Sequence, residues 1–111
     1  RCSAAATVCA GQVYIFGGDE GTRPMDSAER FNAATEVWEA LPPMIEKRQA
    51  AAAAAVAGSV YVFGGHDGRR ILSSAERFDP AERTWEALHA MSERRQGLAS
   101  AAVAGQVFVL G

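Results

Sequence analysis

The sequence repeats itself at an interval of 47 residues, and the unit occurs twice before it begins a third time. Trp38, for example, recurs as Trp85. The other matching positions are Gly17-Gly18 with Gly64-Gly65, Phe31 with Phe78, and the three glycines Gly11, Gly58 and Gly105. Self-similarity at a fixed period of about 20–50 residues marks a unit that cannot bury its apolar faces alone and stacks on copies of itself. We therefore predict a stack of similar units, and any function must lie on that repeated scaffold.

The composition argues against several classes of function. Of the 111 residues, 49% are hydrophobic and 22% are charged, which is typical of a globular protein. A net charge of −2 creates no strong field toward nucleic acids or anionic membranes. The longest apolar runs, such as residues 50–57, are far shorter than the roughly 20 residues of a transmembrane helix. We therefore predict no nucleic-acid partner and no membrane partner.

The two cysteines predict no disulfide. Cys2 and Cys9 are seven residues apart in one predicted strand, which would separate them by about 20 Å with their side chains on opposite faces. A disulfide needs Cα atoms within about 7 Å of each other. Its absence favours a reducing compartment, and we predict a cytoplasmic protein. Because the chain begins at Arg1 without an initiator methionine, we also expect a mature or excised piece of a longer protein.

Each repeat is predicted to form four β-strands. A segment of small residues comes first, and after a glycine it is followed by a run of β-formers such as residues 60–63 (Val-Tyr-Val-Phe). Residues 74–78 alternate with a period of two and predict a third strand. Residues 84–88, which contain Trp85, predict a fourth. Four antiparallel strands in a unit of this length are typical of one propeller blade.

The alanine-rich first segment is ambiguous when it is taken alone. Residues 50–57 would form a helix by intrinsic propensity, because alanine is the best helix former. The matching positions of the other repeats hold Thr7, Val8, Cys9 and Val103, which favour a strand. The Ala-Gly junction that follows suits a tight hairpin. We therefore predict strands here, with small side chains that fit a crowded position near a central axis.

These repeated features resemble the Kelch repeat. Both complete copies have a Gly-Gly pair after the second strand, an Ala-Glu-Arg-Phe segment, and a tryptophan seven residues after its phenylalanine. Residues 63–68 (Phe-Gly-Gly-His-Asp-Gly) and 75–80 (Ala-Glu-Arg-Phe-Asp-Pro) are most similar to the Kelch-like, or BTB-Kelch, adaptor proteins. The resemblance implies an all-β fold of Kelch-type β-propeller blades, each a four-stranded antiparallel meander, usually six in a closed ring.

The repeat divides the chain into about 2.4 blades. We predict that residues 1–47 and 48–94 form two Kelch blades and that residues 95–111 form the first two strands of a further blade. An arc of this length leaves apolar ends exposed to water. We therefore expect a fragment of a larger closed propeller, with its open ends covered by missing blades or by self-association.

One side of such a meander is predicted to bind a partner. The connections after the second and fourth strands emerge together on that side, which carries eight basic and six acidic residues, whereas the rest of the chain carries three basic and seven acidic ones. Guanidinium groups on rigid loops suit carboxylates, so we predict a protein or peptide partner with acidic residues. The predicted partner-binding residues are Arg23, Lys47, Arg48, His66, Asp67, Arg69, Arg70, Arg94 and Arg95. An alternative for Arg48 and Arg95 is a structural role beside Glu46 or Glu93, and for Arg69 and Arg70 it is plain solvation.

The sequence predicts no catalytic residues, no metal and no cofactor. His66 and His89 occupy different positions of the repeat and have no neighbouring ligands at metal spacing. Residues 17–21 and 64–68 are glycine-rich but lack phosphate-binding patterns. We therefore predict a protein-interaction module. The resemblance to Kelch-like adaptors implies substrate recognition for a cullin-type ubiquitin ligase, and the alternatives are a Kelch-fold enzyme with its site in missing blades or a cytoskeletal scaffold.

Overall fold

The structure, a computed structural model, describes residues 3–92 and, as backbone, two further strands toward the C-terminus. Every regular element in these ranges is a β-strand, and no helix there is long and apolar enough to cross a membrane. In chain order the strands are β1 (Ala5–Cys9), β2 (Gln12–Phe16), β3 (Asp19–Glu20), β4 (Arg23–Pro24), β5 (Ala28–Asn32), β6 (Val37–Leu41), β7 (Ala52–Val56), β8 (Ser59–Phe63), β9 (Ala75–Asp79), β10 (Thr84–Ala87), β11 (Ala99–Val103) and β12 (Gln106–Leu110).

Two antiparallel meanders contain eight of these strands. The first sheet has the order β1-β2-β5-β6, and we call it blade 1; the second has the order β7-β8-β9-β10, and we call it blade 2. The strands β11 and β12 form a further antiparallel pair. The two blades share one register, because Phe31 pairs with Trp38 in blade 1 just as Phe78 pairs with Trp85 in blade 2. The predicted all-β fold is confirmed, whereas the limits of the repeats at residues 47 and 94 remain predictions.

The connection between β2 and β5 contains a hairpin that the sequence analysis did not predict. Asp19 lies opposite Pro24 and Glu20 opposite Arg23, so that β3 and β4 form a small ladder. Gly21 enters the left-handed region with a φ of 72° and permits the tight turn between them. Residues 19–24 therefore form an ordered element.

Strand β7 confirms that the alanine-rich segment is extended, although four of its five residues are alanine. It contacts β1 of blade 1 on one side and β11 on the other. Ala52 and Ala54 are buried. Because close-packed interiors tolerate little extra volume, small side chains permit three strands to approach one another here.

The hairpins that join the first two strands of each blade hold an alanine in a left-handed conformation. Ala10 and Ala57 both have a φ of 51°, and the glycines that follow them, Gly11 and Gly58, have φ values of 76° and 80°. Two successive positive φ angles are those of a type I′ turn, whose twist matches that of the flanking strands. For a residue with a Cβ atom this conformation costs about 1–2 kcal/mol.

Ala10→Gly is expected to stabilise the chain. The substitution removes the cost of the positive φ angle. Glycine has more conformational freedom in the unfolded chain, but the stability lost in this way is somewhat smaller than the stability gained. The free energy of unfolding should therefore rise by about 0.5–1 kcal/mol. Chemical denaturation followed by circular dichroism measures this change. Ala6→Gly, at an exposed position of β1, is the matched control and should lower the free energy of unfolding by a similar amount. Destabilisation by both substitutions would contradict the prediction.

The core lies between the blades and is built around Trp85. Its ring stands edge-on to Phe16 of blade 1, with 5.4 Å between centroids, and lies 5.0 Å from Phe78 of its own sheet. The indole N–H donates a hydrogen bond of 2.8 Å to the carbonyl oxygen of Pro42. Phe78 and Val60 beside it have no exposed surface. Each blade therefore depends on its neighbour for burial.

Charged side chains extend this contact at the surface. The guanidinium of Arg83 in blade 2 donates to the carboxylate of Glu39 at 3.0 Å and to the carbonyl oxygen of Ala40 at 3.3 Å, both in blade 1. Glu39 also accepts a hydrogen bond from Arg30 in its own sheet. The hydrogen bond from Arg30, and to a lesser degree the charge of Arg83, lowers the pKa of Glu39.

Candidate functional site

The connections after the second and fourth strands meet on one side of the two blades. This surface, which we call the loop face, consists of residues 17–27, 42–51 and 64–74. The N–H of Gly18 donates to the carbonyl of Arg48 at 2.7 Å, and the N–H of Arg48 donates to the carbonyl of Met25 at 3.0 Å. Gln49 and His66 exchange two further backbone hydrogen bonds of 3.0 and 2.9 Å. The three connections are therefore held together by their backbones.

The repeated glycines permit this close approach. Gly17 has a φ of 61°, and a Cβ atom added to it would overlap the carbonyl oxygen of Arg48. A Cβ atom added to Gly65 would lie 2.6 Å from the carbonyl oxygen of Gln49. Gly17 follows β2 directly, and Gly65 lies two residues after the end of β8. They bring the connection that precedes β7 against the loops on either side of it.

Arg48 anchors that connection to blade 2 through a fully buried side chain. Its Nε atom donates to the carboxylate of Glu76 at 3.0 Å, and Nη1 donates to the carbonyls of Gly64 at 2.8 Å and Ser74 at 3.0 Å. Nη2 donates to the Ser74 hydroxyl at 3.0 Å and lies 3.7 Å from the Glu46 carboxylate. A buried charge is tolerated only when its donors are satisfied in this way.

Glu76, the partner of Arg48, also accepts hydrogen bonds from the backbone of the connection that precedes β7. It lies on β9 with only 1% of its surface exposed, and its carboxylate accepts the backbone N–H groups of Ile45 at 2.7 Å and Glu46 at 3.1 Å. The main partner of Arg48 is therefore Glu76 rather than the more distant Glu46. This corrects the placement of Arg48 among the partner-binding residues, because a partner cannot reach a side chain with no exposed surface.

Two clefts flank the stretch that carries Glu46 and Lys47. The first cleft has a volume of about 470 Å³ and is lined by Lys47 and by Glu20, Arg23, Pro24, Met25, Asp26 and Ser27. The second cleft, of about 120 Å³, is lined by Glu46 and by Arg70, Ile71, Leu72, Ser73 and Ser74. Each cleft combines basic, acidic and apolar groups, a combination suited to a peptide rather than to a single ion.

Beside the second cleft, residues 66–70 form a turn that presents two arginines. One carboxylate oxygen of Asp67 accepts the N–H groups of Arg69 at 2.8 Å and Arg70 at 2.9 Å. These bonds lower the pKa of Asp67, so the carboxylate stays ionised at neutral pH. The Nδ1 atom of His66 accepts the N–H of Gly68 at 2.9 Å, which places the proton of the neutral ring on Nε2. These hydrogen bonds fix the backbone of the turn. The side chains of Arg69 and Arg70 are both exposed.

The turn also lies against the hairpin of blade 1. A Cβ atom added to Gly68 would be 3.3 Å from the ring of Pro24. Arg23, which precedes that proline, and Arg69, which follows that glycine, therefore lie on neighbouring segments. The structure thus brings together two predicted binding residues that are far apart in sequence.

The described part of the loop face is balanced in charge. Among the described residues this face holds five basic and five acidic side chains, and the charge of Arg48 is already neutralised by Glu76. The positive surplus counted from the sequence depends on residues outside the described ranges, which include Arg94 and Arg95. Among the described residues of the loop face, the exposed basic groups are those of Arg23, Lys47, Arg69 and Arg70.

The sequence analysis missed one buried residue that supports this surface, Glu76, and two exposed residues on it, Ile45 and Ile71. The pairing of Glu76 with Arg48 had a signal, since both positions recur with the repeat interval. Ile45 and Ile71 are 56% and 37% exposed, and the sequence contains no signal for this exposure. An isolated isoleucine in a connection can be either buried or exposed. Their exposure adds an apolar component to a face that was expected to act through charge.

Metal-binding clusters and disulfides do not contribute to this site in the described residues. No group of three or more His, Cys, Asp or Glu side chains converges there in a way that could hold a metal ion. Cys9 is a buried free thiol, and Cys2 lies outside the described residues.

The fold and the loop face define a class of protein. Stacked four-stranded meanders, each dependent on its neighbour for burial and with clefts where their connections meet, are the units of a repeat-built β-propeller. The chain belongs to the Kelch-repeat family, because residues 1–111 match the family model of the KLHDC2/KLHL20/DRC7 Kelch-repeats domain. No curated protein matches the chain. The family is typically a non-enzymatic interaction domain, so the general class of protein-interaction module is supported.

Proposed function

We propose that this chain binds a partner protein through its loop face, and that the bound segment is a peptide with both acidic and apolar residues. The observation that carries the proposal is the pair of clefts on either side of Glu46 and Lys47, each with at least one exposed basic side chain at its wall. Loops held on a rigid scaffold are the usual position of binding residues in repeat proteins.

The electrostatic part of the proposal rests on four exposed cations. Arg23 and Lys47 line the first cleft, Arg70 lines the second, and Arg69 is next to it in the same turn. Guanidinium groups form bidentate hydrogen bonds with carboxylates, and such groups steer an acidic peptide and set its register. The hydrogen bonds to Asp67 fix the backbone of both turn arginines before a partner arrives.

The apolar part rests on Ile45 and Ile71. Both side chains are exposed, and Ile71 forms part of the second cleft. Removing such groups from water contributes about 25 cal/mol for each Å² that a partner covers. An acidic peptide with an apolar residue beside its carboxylates is therefore a better ligand than a purely acidic one.

Selection from a display library of random 12-residue peptides tests this proposal. Peptides enriched on the immobilised chain should contain Asp or Glu next to an apolar residue, and their affinity should fall as salt is raised. Reversing both turn arginines, Arg69→Glu with Arg70→Glu, should weaken binding by at least about tenfold, because like charges then face each other. Arg77→Glu, at a partly exposed position on β9 outside the loop face, is the control and should bind as the unchanged chain does. Equal binding by all three proteins would remove the turn arginines from the site.

We further propose that the module serves as the substrate-recognition part of a cullin-type ubiquitin ligase adaptor in the cytoplasm. The support is the similarity of residues 63–68 and 75–80 to Kelch-like adaptors. The natural polypeptide that contains this chain should then co-precipitate a cullin. The doubly reversed variant should keep the cullin and lose the substrate. If substrate were recovered without any cullin, the proposed binding function would stand and the proposed adaptor role would be overturned.

A further inference from the structure

Lys47 is the only lysine in the sequence, whereas arginine occurs ten times. The matching position 47 residues later holds Arg94. Both copies of the repeat therefore have a cation at this position, but only the first copy has a primary amine. Acylation of a lysine removes its positive charge, whereas a guanidinium group is always protonated and does not react in this way. The chain thus offers a single side-chain amine for acylation.

The structure places this amine between the two clefts of the candidate site. Lys47 is exposed and belongs to the wall of the first cleft, while Glu46, immediately before it, belongs to the wall of the second. The backbone on both sides is fixed, since the N–H of Glu46 donates to the Glu76 carboxylate at 3.1 Å and the N–H of Arg48 donates to the Met25 carbonyl at 3.0 Å. The ammonium group itself forms no ion pair with any residue that the structure describes. A fixed backbone therefore presents a cation that is available to another molecule.

The charge of Lys47 decides the sign of the first cleft. The wall of this cleft holds two basic side chains, Lys47 and Arg23, and two acidic ones, Glu20 and Asp26. Without the ammonium charge, one cation remains against two carboxylates, and the cleft then disfavours an acidic segment. The basic side chain in the wall of the second cleft is an arginine, whose charge acylation does not remove. Of the two clefts, the first is therefore the one whose charge acylation can reverse.

We propose that Lys47 is an acylation site, and that its reaction with an acyl thioester weakens the binding of an acidic peptide in the first cleft. The neutral amine attacks the carbonyl carbon of the thioester, the N–C bond forms, and the C–S bond breaks. The proton that the nitrogen loses passes to the departing thiolate, and the resulting amide is uncharged. A carboxylate bound to Lys47 holds the amine in its protonated, unreactive form and covers it, so that binding and acylation oppose each other. The inference rests on the proposed peptide-binding function and adds its regulation.

Reaction of the chain with acetyl-coenzyme A tests the inference. The probe for binding is the tightest 12-residue peptide of the display selection, synthesised without lysine and with a blocked N-terminus so that it does not compete for acetyl groups. Peptide mapping by mass spectrometry distinguishes acetylation of Lys47 from that of the α-amino group. The probe at ten times its Kd should slow the acetylation of Lys47 by roughly tenfold, because only the unbound fraction reacts. The chain acetylated at Lys47 should bind the probe roughly two- to fivefold more weakly, which is the effect of losing one exposed ion pair.

A chain with its lysine moved to another place is the matched control. Lys47→Arg keeps the charge of the first cleft and removes the amine, and Arg77→Lys in the same chain supplies an amine on β9, outside the loop face. This double variant should bind the probe as the unchanged chain does. Acetylation of its relocated lysine should not weaken binding, and the probe should not slow that acetylation.

The outcomes distinguish this inference from the binding function on which it rests. If the probe binds the acetylated and the unmodified chain equally, or does not slow the acetylation of Lys47, the inference is overturned and the peptide-binding function stands. The same holds if Lys47 stays unmodified while the relocated lysine reacts. If no peptide of the selection binds the unmodified chain, the binding function is overturned, and the inference with it.

Discussion

Replacing Arg48 by methionine is expected to lower the free energy of unfolding by about 3–5 kcal/mol, the cost of leaving one member of a buried ion pair without its partner. Methionine fills much of the same volume, so the loss is electrostatic rather than a cavity. The Glu76 carboxylate would remain buried with only the backbone N–H groups of Ile45 and Glu46 as donors. The carbonyls of Gly64 and Ser74 would lose their shared donor. Denaturant unfolding at a fixed protein concentration measures the change.

A second substitution distinguishes the ion pair from a general disturbance of the loop. In the Arg48→Met background, Glu76→Gln removes the unpaired charge and should recover part of the lost stability, so the two effects are not additive. Arg77→Met is the matched control, because Arg77 is adjacent to Glu76 on β9 and pairs with Glu86 at the exposed surface. Such exposed pairs contribute little to stability. If Arg48→Met and Arg77→Met had equal effects, the buried network would not hold the connection as described.

Gly17→Ala is expected to destabilise the chain by roughly 3–5 kcal/mol, through backbone strain and overpacking together. The φ of 61° is unfavourable for alanine, and the new methyl group would overlap the Arg48 carbonyl oxygen. That carbonyl accepts the N–H of Gly18, so moving it breaks a hydrogen bond between the connections. The free energy of unfolding from chemical denaturation reports the loss.

Gly11→Ala separates the two contributions. Gly11 also has a positive φ, of 76°, but a Cβ atom added there meets nothing within 4 Å. Its substitution should therefore cost only the conformational term, about 1–2 kcal/mol. Equal destabilisation at Gly11 and Gly17 would mean that the contact with Arg48 imposes no constraint beyond that of the backbone angle.

The sequence was sufficient for the architecture because the repeat supplied information that propensity lacks. Residues 50–57 favour a helix when they are considered alone, yet β7 is extended like its counterpart β1. Thr7, Val8 and Cys9 at the matching positions identified the strand. Packing against β1 and β11 overrides the helical preference of alanine, as tertiary contacts commonly override propensity.

The candidate site was less predictable, because its chemistry depends on contacts between distant parts of the chain. Arg48 and Glu76 are 28 residues apart, and nothing local to Arg48 distinguishes a buried guanidinium from a solvated one. The β3–β4 hairpin has only two residues in each strand, too few for an alternating pattern to be recognised. By contrast, the turn at Asp67 could be anticipated, since Asp followed by Gly is a common turn sequence.

The position of Arg48 also bears on how such a chain can be lengthened or shortened by recombination. Its backbone is hydrogen-bonded to Gly18 and Met25 of blade 1, whereas its side chain is hydrogen-bonded within blade 2. A recombination crossover just before Arg48 would remove the partners of its backbone hydrogen bonds. A crossover just after Arg48 would remove Glu76, the partner of its side chain. Units are therefore exchanged without loss only when the incoming neighbour supplies equivalent groups, so duplication of whole units in register is the tolerated route of change.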